Sequence, residues 1–303
     1  MSTRTMGPGA GWSWLARAVN LGRNNPRAVI GAVAIVAALA LVPSIVQVAG
    51  QRLLGAEGMV VVAALATLVS VIVFPLLIGG VLRVIDAAER GRPVAAMAVF
   101  EPFRGGQGGG RLVGFGLLMS AIYLLVFAIL VATVGQGLPE WYAQMMQLQV
   151  EAAGRPIQPD DLPDPPPGLG RLLGLGMLLG MFLGGAYAIG FGQVALGGRG
   201  VLEAMRDGVT GALRNLLPIA VLAVLSVAAM FVLFLVLVLV GGLLGLVGGL
   251  VHPALGVLLV APLYFGLILL MYVVMFGVMY HMWRDVCGAP AAPPPLPANQ
   301  VEL

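Results

Sequence analysis

Residues 216–248 read LLPIAVLAVLSVAAMFVLFLVLVLVGGLLGLVG, a run without one charged side chain. About 20 apolar residues in a helix are enough to cross the hydrocarbon core of a bilayer. Five other stretches reach this length: residues 28–48, 59–85, 112–134, 172–196 and 254–282. None of the six stretches contains an acidic residue or a lysine, so we expect each of them to form a transmembrane helix.

The composition of the whole chain leads to the same conclusion. Hydrophobic residues make up 60% of the sequence and charged residues only 10%. Too few polar side chains are present to cover the surface of a water-soluble globule. The sequence therefore predicts an all-α integral membrane protein with six transmembrane helices.

The basic residues indicate the orientation of the protein. All sixteen are arginine, and thirteen of them lie before span one, around the loops after spans two and four, or after span six. Only Arg52, Arg155 and Arg171 lie on the other side. The positive-inside rule then places both termini in the cytoplasm.

A short amphipathic stretch precedes each odd-numbered span, at residues 12–19, 94–100 and 201–209. Apolar residues at helical spacing beside arginines favour a helix that lies in the membrane interface. We therefore predict three helical hairpins, each preceded by a cytoplasmic interfacial amphipathic helix. The alternative is that any multi-span protein needs arginines at the cytoplasmic face, which explains the charges but less easily the recurring apolar pattern.

The spans and loops together predict one transmembrane domain over residues 1–286. Its longest extracytoplasmic loop is residues 135–170, which is rich in proline and acid. Residues 287–303 contain three consecutive prolines and are predicted to be a disordered cytoplasmic tail. The single cysteine, Cys287, falls in this tail and is expected to be solvated.

Few residues in the spans could carry chemistry. Arg83 and Asp86, three residues apart near the cytoplasmic end of span two, could pair locally or act as a gate. Two histidines are too few for a metal site without acidic or cysteine help nearby, and no nucleophile and base can be assigned. The net charge of +3 comes from arginines at the membrane, so it gives no support to nucleic-acid binding. We predict a protein that is not an enzyme, binds no metal, cofactor or nucleic acid, and has membrane lipids as partners.

Small residues recur at four-residue steps in two spans. They are Gly176, Gly180 and Gly184 in span four, and Gly241 and Gly245 in span five. This spacing creates a flat helix face that another helix can approach closely. We expect these glycines to pack the bundle; the alternative is a seam with a second copy of the chain or with another membrane protein.

Polar residues inside the spans can serve either of two structural roles. Pro75 and Pro262 each leave a helix carbonyl without its usual partner. Ser120, Tyr187 and Gln193 could satisfy such groups, or they could line a cavity. The sequence does not choose between these uses.

Three short motifs carry a family resemblance. They are residues 11–15 (GWSWL), the segment from Val81-Leu82-Arg83 to Gly91-Arg92-Pro93, and residues 103–106 (FRGG) before span three. Through them the chain resembles an uncharacterised family of bacterial multi-pass inner-membrane proteins. In layout it is similar to the YciC-like proteins and to the membrane domain attached to some glycerophosphodiester phosphodiesterases. The resemblance implies a location in the bacterial inner membrane and implies no catalytic residues.

These observations are compatible with two functions. The first is a non-enzymatic membrane protein that provides a passive pathway or binding site for lipid or a small amphipathic solute. The second is a structural or interaction protein, such as an envelope scaffold, an assembly factor or a protective factor, with a solidly packed bundle. A groove that touches Ser120, Tyr187 or Gln193 favours the first, whereas hydrogen bonds from these residues to neighbouring helices favour the second.

The predicted orientation can be tested with epitope tags. A tag at either terminus should be reached by antibody only in inside-out vesicles, because the arginines hold both ends in the cytoplasm. A tag inserted in residues 135–170 should be reached only in intact spheroplasts. Labelling of either terminus in intact spheroplasts would overturn this topology.

Overall fold

The computed structural model of the protein describes residues 3–152 and 157–288, and within these ranges it consists of helices and loops without strands. Six helical segments are long and apolar enough to cross a membrane: Pro26–Gly50, Val61–Glu89, Gly109–Thr133, Leu169–Ala195, Leu216–Val251 and Pro253–Val286. They agree with the six predicted stretches to within a few residues at each end. The protein is thus built as a multi-pass membrane protein.

The helices are numbered in chain order. They are α1 (Ala10–Val19), α2 (Pro26–Glu89), α3 (Gly109–Thr133), α4 (Leu138–Ala152), α5 (Leu169–Ala195), α6 (Val201–Arg214), α7 (Leu216–Val236), α8 (Gly242–Val251) and α9 (Pro253–Val286). Short 3₁₀ helices cover Ala96–Phe103 and Pro159–Asp161, and a π-helical turn over Leu237–Gly241 joins α7 to α8. Span five therefore contains an irregular turn beside its glycine cluster.

The first two spans lie in one helical segment, α2, which folds back on itself. The Asn24 side-chain amide donates a hydrogen bond to the Ala88 carbonyl at 3.4 Å, so the two ends of α2 are neighbours. A straight helix of this length would separate its ends by about 96 Å. A Cβ atom placed on Gly50 would lie 2.9 Å from Val62, which puts the reversal between these residues.

The buried core lies at one end of the molecule. There α1, the 96–103 helix and α6 pack against the nearest ends of the spans, and we call this region the hub. The largest fully buried side chains all belong to the hub or to the span ends that enter it, and they include Trp14, Phe115, Phe191, Phe276 and Tyr280. At the opposite end the helices expose apolar side chains such as Leu53 (82% exposed) and Leu250 (81% exposed). Lipid, rather than protein, is the natural solvent for that surface.

Single glycines let the backbones of the hub come together. A Cβ atom on Gly190 would lie 2.9 Å from the Ala204 carbonyl oxygen, and one on Gly208 would overlap the Ala186 carbonyl. A Cβ atom on Gly80 would likewise overlap the Val99 carbonyl of the 96–103 helix. Any larger residue would push these elements apart, so the contacts of α5 with α6 and of α2 with the 96–103 helix depend on glycine.

The glycines singled out from the sequence are placed differently in the two spans. In the described part of the chain, nothing lies within 4 Å of a Cβ built on Gly176, Gly180 or Gly184. Among the described residues no neighbouring helix reaches this face of α5, so these three glycines do not pack the bundle there as expected. Gly241 and Gly245 do face α9, where the Val260 side chain would be 3.8 and 3.5 Å from a Cβ atom.

The predicted tail begins too early. Cys287 is only 5% exposed, and the Gly288 carbonyl accepts a hydrogen bond from the Arg4 guanidinium at 2.6 Å. Cys287 is thus packed in the hub and is not solvated as the sequence suggested, and burial raises the pKa of its thiol to about 11. Residues 289–303 of the predicted tail, and residues 153–156 of the long loop, lie outside the described residues.

The close contact between α5 and α6 can be tested with a glycine-to-alanine substitution whose expected effect on stability is opposite to that of helix propensity. Gly208→Ala should lower the stability of the folded protein by about 1–3 kcal/mol, because the new methyl group meets the Ala186 carbonyl. Helix propensity alone would favour alanine by about 1 kcal/mol. Thermal unfolding in detergent measures the change.

Gly180→Ala is the matched control, because that glycine faces open space on the same pair of helices. It should leave the melting temperature unchanged or slightly raised. Equal behaviour of the two variants would show that the Gly208 contact does not hold the hub together.

Candidate functional site

An open groove of about 280 Å³ runs between the second half of α2, α3 and α5. It lies near the midpoints of spans two and three, far from the ends of both. We call it the mid-membrane groove. Its lining includes Ser70, Val71, Pro75, Gly116, Ser120, Tyr123 and Tyr187.

Pro75 and Gly116 shape the closed side of this groove. A Cβ atom on Gly116 would lie 2.5 Å from the Pro75 ring, so glycine is needed for α3 to approach α2 at this height. Pro75 has no N–H group to donate to the carbonyl of Val71, four residues earlier. Because Val71 also lines the groove, the helix offers a backbone acceptor close to the empty space.

Hydroxyl groups supply the remaining polarity. The Ser70 hydroxyl donates to the Ala66 carbonyl at 2.6 Å and is thereby satisfied within its own helix. In the part of the chain that the structure describes, no hydrogen bond is made by the side chains of Ser120, Tyr123 or Tyr187. A hydroxyl without a hydrogen-bond partner is costly in hydrocarbon. A guest whose polar atoms bond to these three hydroxyls would remove that cost.

Tyr187 is fixed in place by aromatic neighbours. Its ring centroid lies 5.2 Å from that of Phe191 and 6.1 Å from that of Phe115. Such tilted contacts stabilise one orientation of the ring. The wall of the groove formed by α5 is therefore a rigid surface that carries a hydroxyl group.

Gln193, the third residue predicted to line a cavity, lies elsewhere. It is 1% exposed, donates to the Asp207 carboxylate at 2.6 Å and accepts from the Trp283 indole at 3.2 Å. These bonds tie α5 to α6 and α9 in the hub. The structure thus brings Ser120 and Tyr187 together and gives Gln193 a structural role.

The suggested pair of Arg83 and Asp86 is replaced by two separate clusters. The Arg83 guanidinium donates to the carbonyls of Gln107 (2.7 Å) and Ala195 (3.3 Å), at the end of α5. The Asp86 carboxylate accepts from Arg90 (2.9 Å) and Arg92 (2.8 Å), and also from the Tyr280 hydroxyl. Arg83 thus holds α2 to the end of α5, whereas Asp86 pairs with the arginines just after its own helix and reaches across the chain to Tyr280.

The described residues offer few side chains that could bind a metal ion or a cofactor. Within residues 3–152 and 157–288, no group of three or more histidine, cysteine, aspartate or glutamate side chains could hold a metal ion. His252 accepts a hydrogen bond from the Ala254 amide at 3.1 Å and so caps the start of α9. The mid-membrane groove contains hydroxyls and apolar walls but no charged side chain.

Sequence reasoning missed Tyr123 and the crossing of Pro75 with Gly116. A signal was present for both, since Gly116, Ser120 and Tyr123 follow one another at helical spacing and so share a face of α3. What the spacing could not show is that the proline of span two lies opposite that face. No protein-family model, curated protein or solved structure matches this chain, so its function must be argued from these residues.

The structural role of Gln193 can be tested by Gln193→Leu, which keeps the volume and removes both hydrogen bonds. The Trp283 indole N–H and the Asp207 carboxylate then lose a buried partner, and the stability should fall by about 1–3 kcal/mol. Thermal unfolding in detergent reports the loss. Ser120→Ala is the control and should unfold like the unmodified protein; the reverse ranking of the two variants would contradict the assignment.

Proposed function

We propose that this protein is a non-enzymatic multi-pass protein of the bacterial inner membrane whose mid-membrane groove holds a lipid segment or a small amphipathic solute. The observation that carries the proposal is a set of three hydroxyls, Ser120, Tyr123 and Tyr187, which surround an open groove at mid-depth and have no hydrogen-bond partner among the described residues. A bundle packed only for stability would direct such groups at neighbouring helices. The resemblance to bacterial inner-membrane proteins described above supports the proposed location in the bacterial inner membrane.

The lining of the groove defines the chemistry of its guest. The apolar walls fit hydrocarbon, and the hydroxyls with the Val71 carbonyl offer both hydrogen-bond donors and acceptors. Since no charged side chain lines the groove, the part of the guest held there is uncharged. The volume of about 280 Å³ lies at the lower end of ligand pockets, which suits a small solute or a short piece of a lipid.

The absence of a charged lining residue in the groove also bears on energy coupling. Proton-driven transport uses ionisable groups that change their charge inside the membrane. The acidic and basic side chains of the described spans lie near span ends, where Arg83 and Asp86 bind partners in the hub. A passive pathway or binding site therefore fits the chain better than active transport.

The proposal includes the arrangement of the protein in the membrane. Three hairpins would extend from the hub, which would face the cytoplasm with both termini. The reversal inside α2 and the close approach of α8 and α9 at Gly248 and Gly256 support the paired spans. The helices α1 and α6 lie at the hub beside arginines, which supports their placement at the membrane interface.

A structural or interaction role is the second candidate, and two observations favour it. Gln193 is hydrogen-bonded to neighbouring helices as that role predicts, and the Gly176, Gly180 and Gly184 face of α5 is open. This face could take a helix of another membrane protein or of a second copy. Ligand occupancy of the groove separates the two candidates.

Blocking the groove tests the proposal. Ser120→Trp places an indole in the groove of about 280 Å³ and should reduce retained ligand and solute flux by about tenfold, a loss of roughly 1.4 kcal/mol of binding free energy. Native mass spectrometry of the purified protein counts co-purified small molecules, and liposome flux of uncharged amphipathic solutes measures passage.

Leu125→Trp is the matched control, because Leu125 is 61% exposed and lies on a different face of α3 from Ser120 and Tyr123. It should retain ligand and flux at the level of the unmodified protein. If the unmodified protein carries no ligand and passes no solute above protein-free liposomes, the binding role is wrong and the interaction role takes its place.

A further inference from the structure

A second groove, of about 560 Å³, lies in the hub between α1, the turn after α1 and the end of α9. Its lining includes Trp12, Arg23, Asn24, Glu89, His281 and Arg284. We call it the hub groove. It is separate from the mid-membrane groove and shares no lining residue with it.

His281 is the feature of this groove that packing does not explain. It is 2% exposed, and within residues 3–152 and 157–288 neither of its ring nitrogens has a hydrogen-bond partner. A buried imidazole normally finds a partner for at least one nitrogen, because an unsatisfied buried polar group is destabilising. The ring is held edge-on to Tyr280, with centroids 5.2 Å apart, and it borders the groove. The described chain thus leaves this enclosed ring without a hydrogen-bond partner beside an open groove.

The charges around the groove indicate the sign of that ligand. Arg17 forms an ion pair with Asp285, and the Arg284 guanidinium lies 3.9 Å from the same carboxylate. Arg23 makes no ion pair in the described part of the chain, and Glu89 is the only acidic residue in the lining. Three arginines thus face two carboxylates, which leaves one positive charge for a ligand to neutralise.

The position of the groove indicates where that ligand resides. Its lining residues lie next to the start of span one (Pro26), the end of span two (Glu89) and the end of span six (Val286). Three spans therefore end around it, at the depth where lipid headgroups lie. Trp12, at its rim, is 60% exposed, as is common for tryptophan at a membrane interface.

From these observations we propose that the hub groove binds the headgroup of a phospholipid whose single phosphodiester carries its only charge. The Arg23 and Arg284 guanidinium groups donate hydrogen bonds to the phosphate oxygens, the geometry for which arginine is suited. One His281 ring nitrogen bonds to the headgroup once the side chains that enclose it move aside to admit the ligand. Glu89 keeps the site at one net positive charge and disfavours lipids with two or more negative charges. This inference does not depend on the mid-membrane groove or on the function proposed for it.

The test is a titration of the full chain in uncharged maltoside micelles with dioctanoyl phosphatidylglycerol. Intrinsic tryptophan fluorescence and the melting temperature report binding, and both should saturate. Dioctanoyl phosphatidylcholine and inorganic phosphate, each at the same concentrations, should have at most a weak effect. Inorganic phosphate that binds as tightly as the lipid would overturn the assignment to a lipid headgroup.

Two variants localise the site. Arg23→Gln should raise the apparent Kd for phosphatidylglycerol about tenfold, as expected for the loss of a charge-assisted hydrogen bond. Arg206→Gln is the matched control, since Arg206 is an exposed arginine of α6 outside the groove, and its Kd should be unchanged. Equal losses in both variants would mean that general surface charge attracts the lipid and would overturn the proposal.

His281→Phe gives a signature that a purely structural residue would not give. Without ligand, the variant should melt at a higher temperature than the unmodified protein, because an unsatisfied buried ring is replaced by an apolar one. With phosphatidylglycerol, its gain in melting temperature should be smaller than that of the unmodified protein. A variant that is destabilised without lipid, or that binds lipid normally, would show that His281 is not part of the site.

Discussion

Contacts between polypeptide backbones at single glycines in the hub are the constraint on which the rest of the structure depends. Lipid tails are as apolar as leucine, so burial of apolar surface does little to hold membrane helices together. Close packing and hydrogen bonds must do so instead. Gly80 and Gly208 allow the 96–103 helix and α6 to lie directly on spans two and four. Bonds between side chains then fasten the hub, as where the Trp14 indole and the Arg17 guanidinium both bind Asp285 on α9.

The sequence was sufficient for the large features because they depend on composition and length. Six apolar runs predict six helices, and arginines near the same span ends predict one polar end of the molecule, which is where the hub lies. Contacts between residues that are far apart in the sequence are harder to predict. The i, i+3 spacing of Arg83 and Asp86 indicates a local pair, but Arg83 reaches the carbonyls of Gln107 and Ala195 instead. The glycine spacing of α5 identifies a helix face and not its neighbour, so the open face of Gly176 could not be told from a packed one.

The mid-membrane groove shows which part of a site can be read in advance. Ser120 and Tyr187 are recognisable as polar residues in apolar helices, and both line the groove. Gln193 has the same appearance in the sequence, yet it is enclosed by α6 and α9. The difference arises because Gln193 lies near the end of α5 that enters the hub, whereas Tyr187 lies two turns deeper, where α2 and α3 leave a gap. Burial of a polar residue in a membrane protein is thus decided by its neighbours across the chain.

The two grooves present different chemistry at different depths, and the distribution of charge explains why. In the described spans, arginines and carboxylates lie close to the span ends, and apart from Arg171 at the start of span four these are the ends near the hub, where water and headgroups reduce the penalty of burying a charge. The hub groove can therefore retain a net positive charge. At mid-depth the same charge would be far more costly, so recognition there is limited to hydroxyls and a backbone carbonyl freed by Pro75.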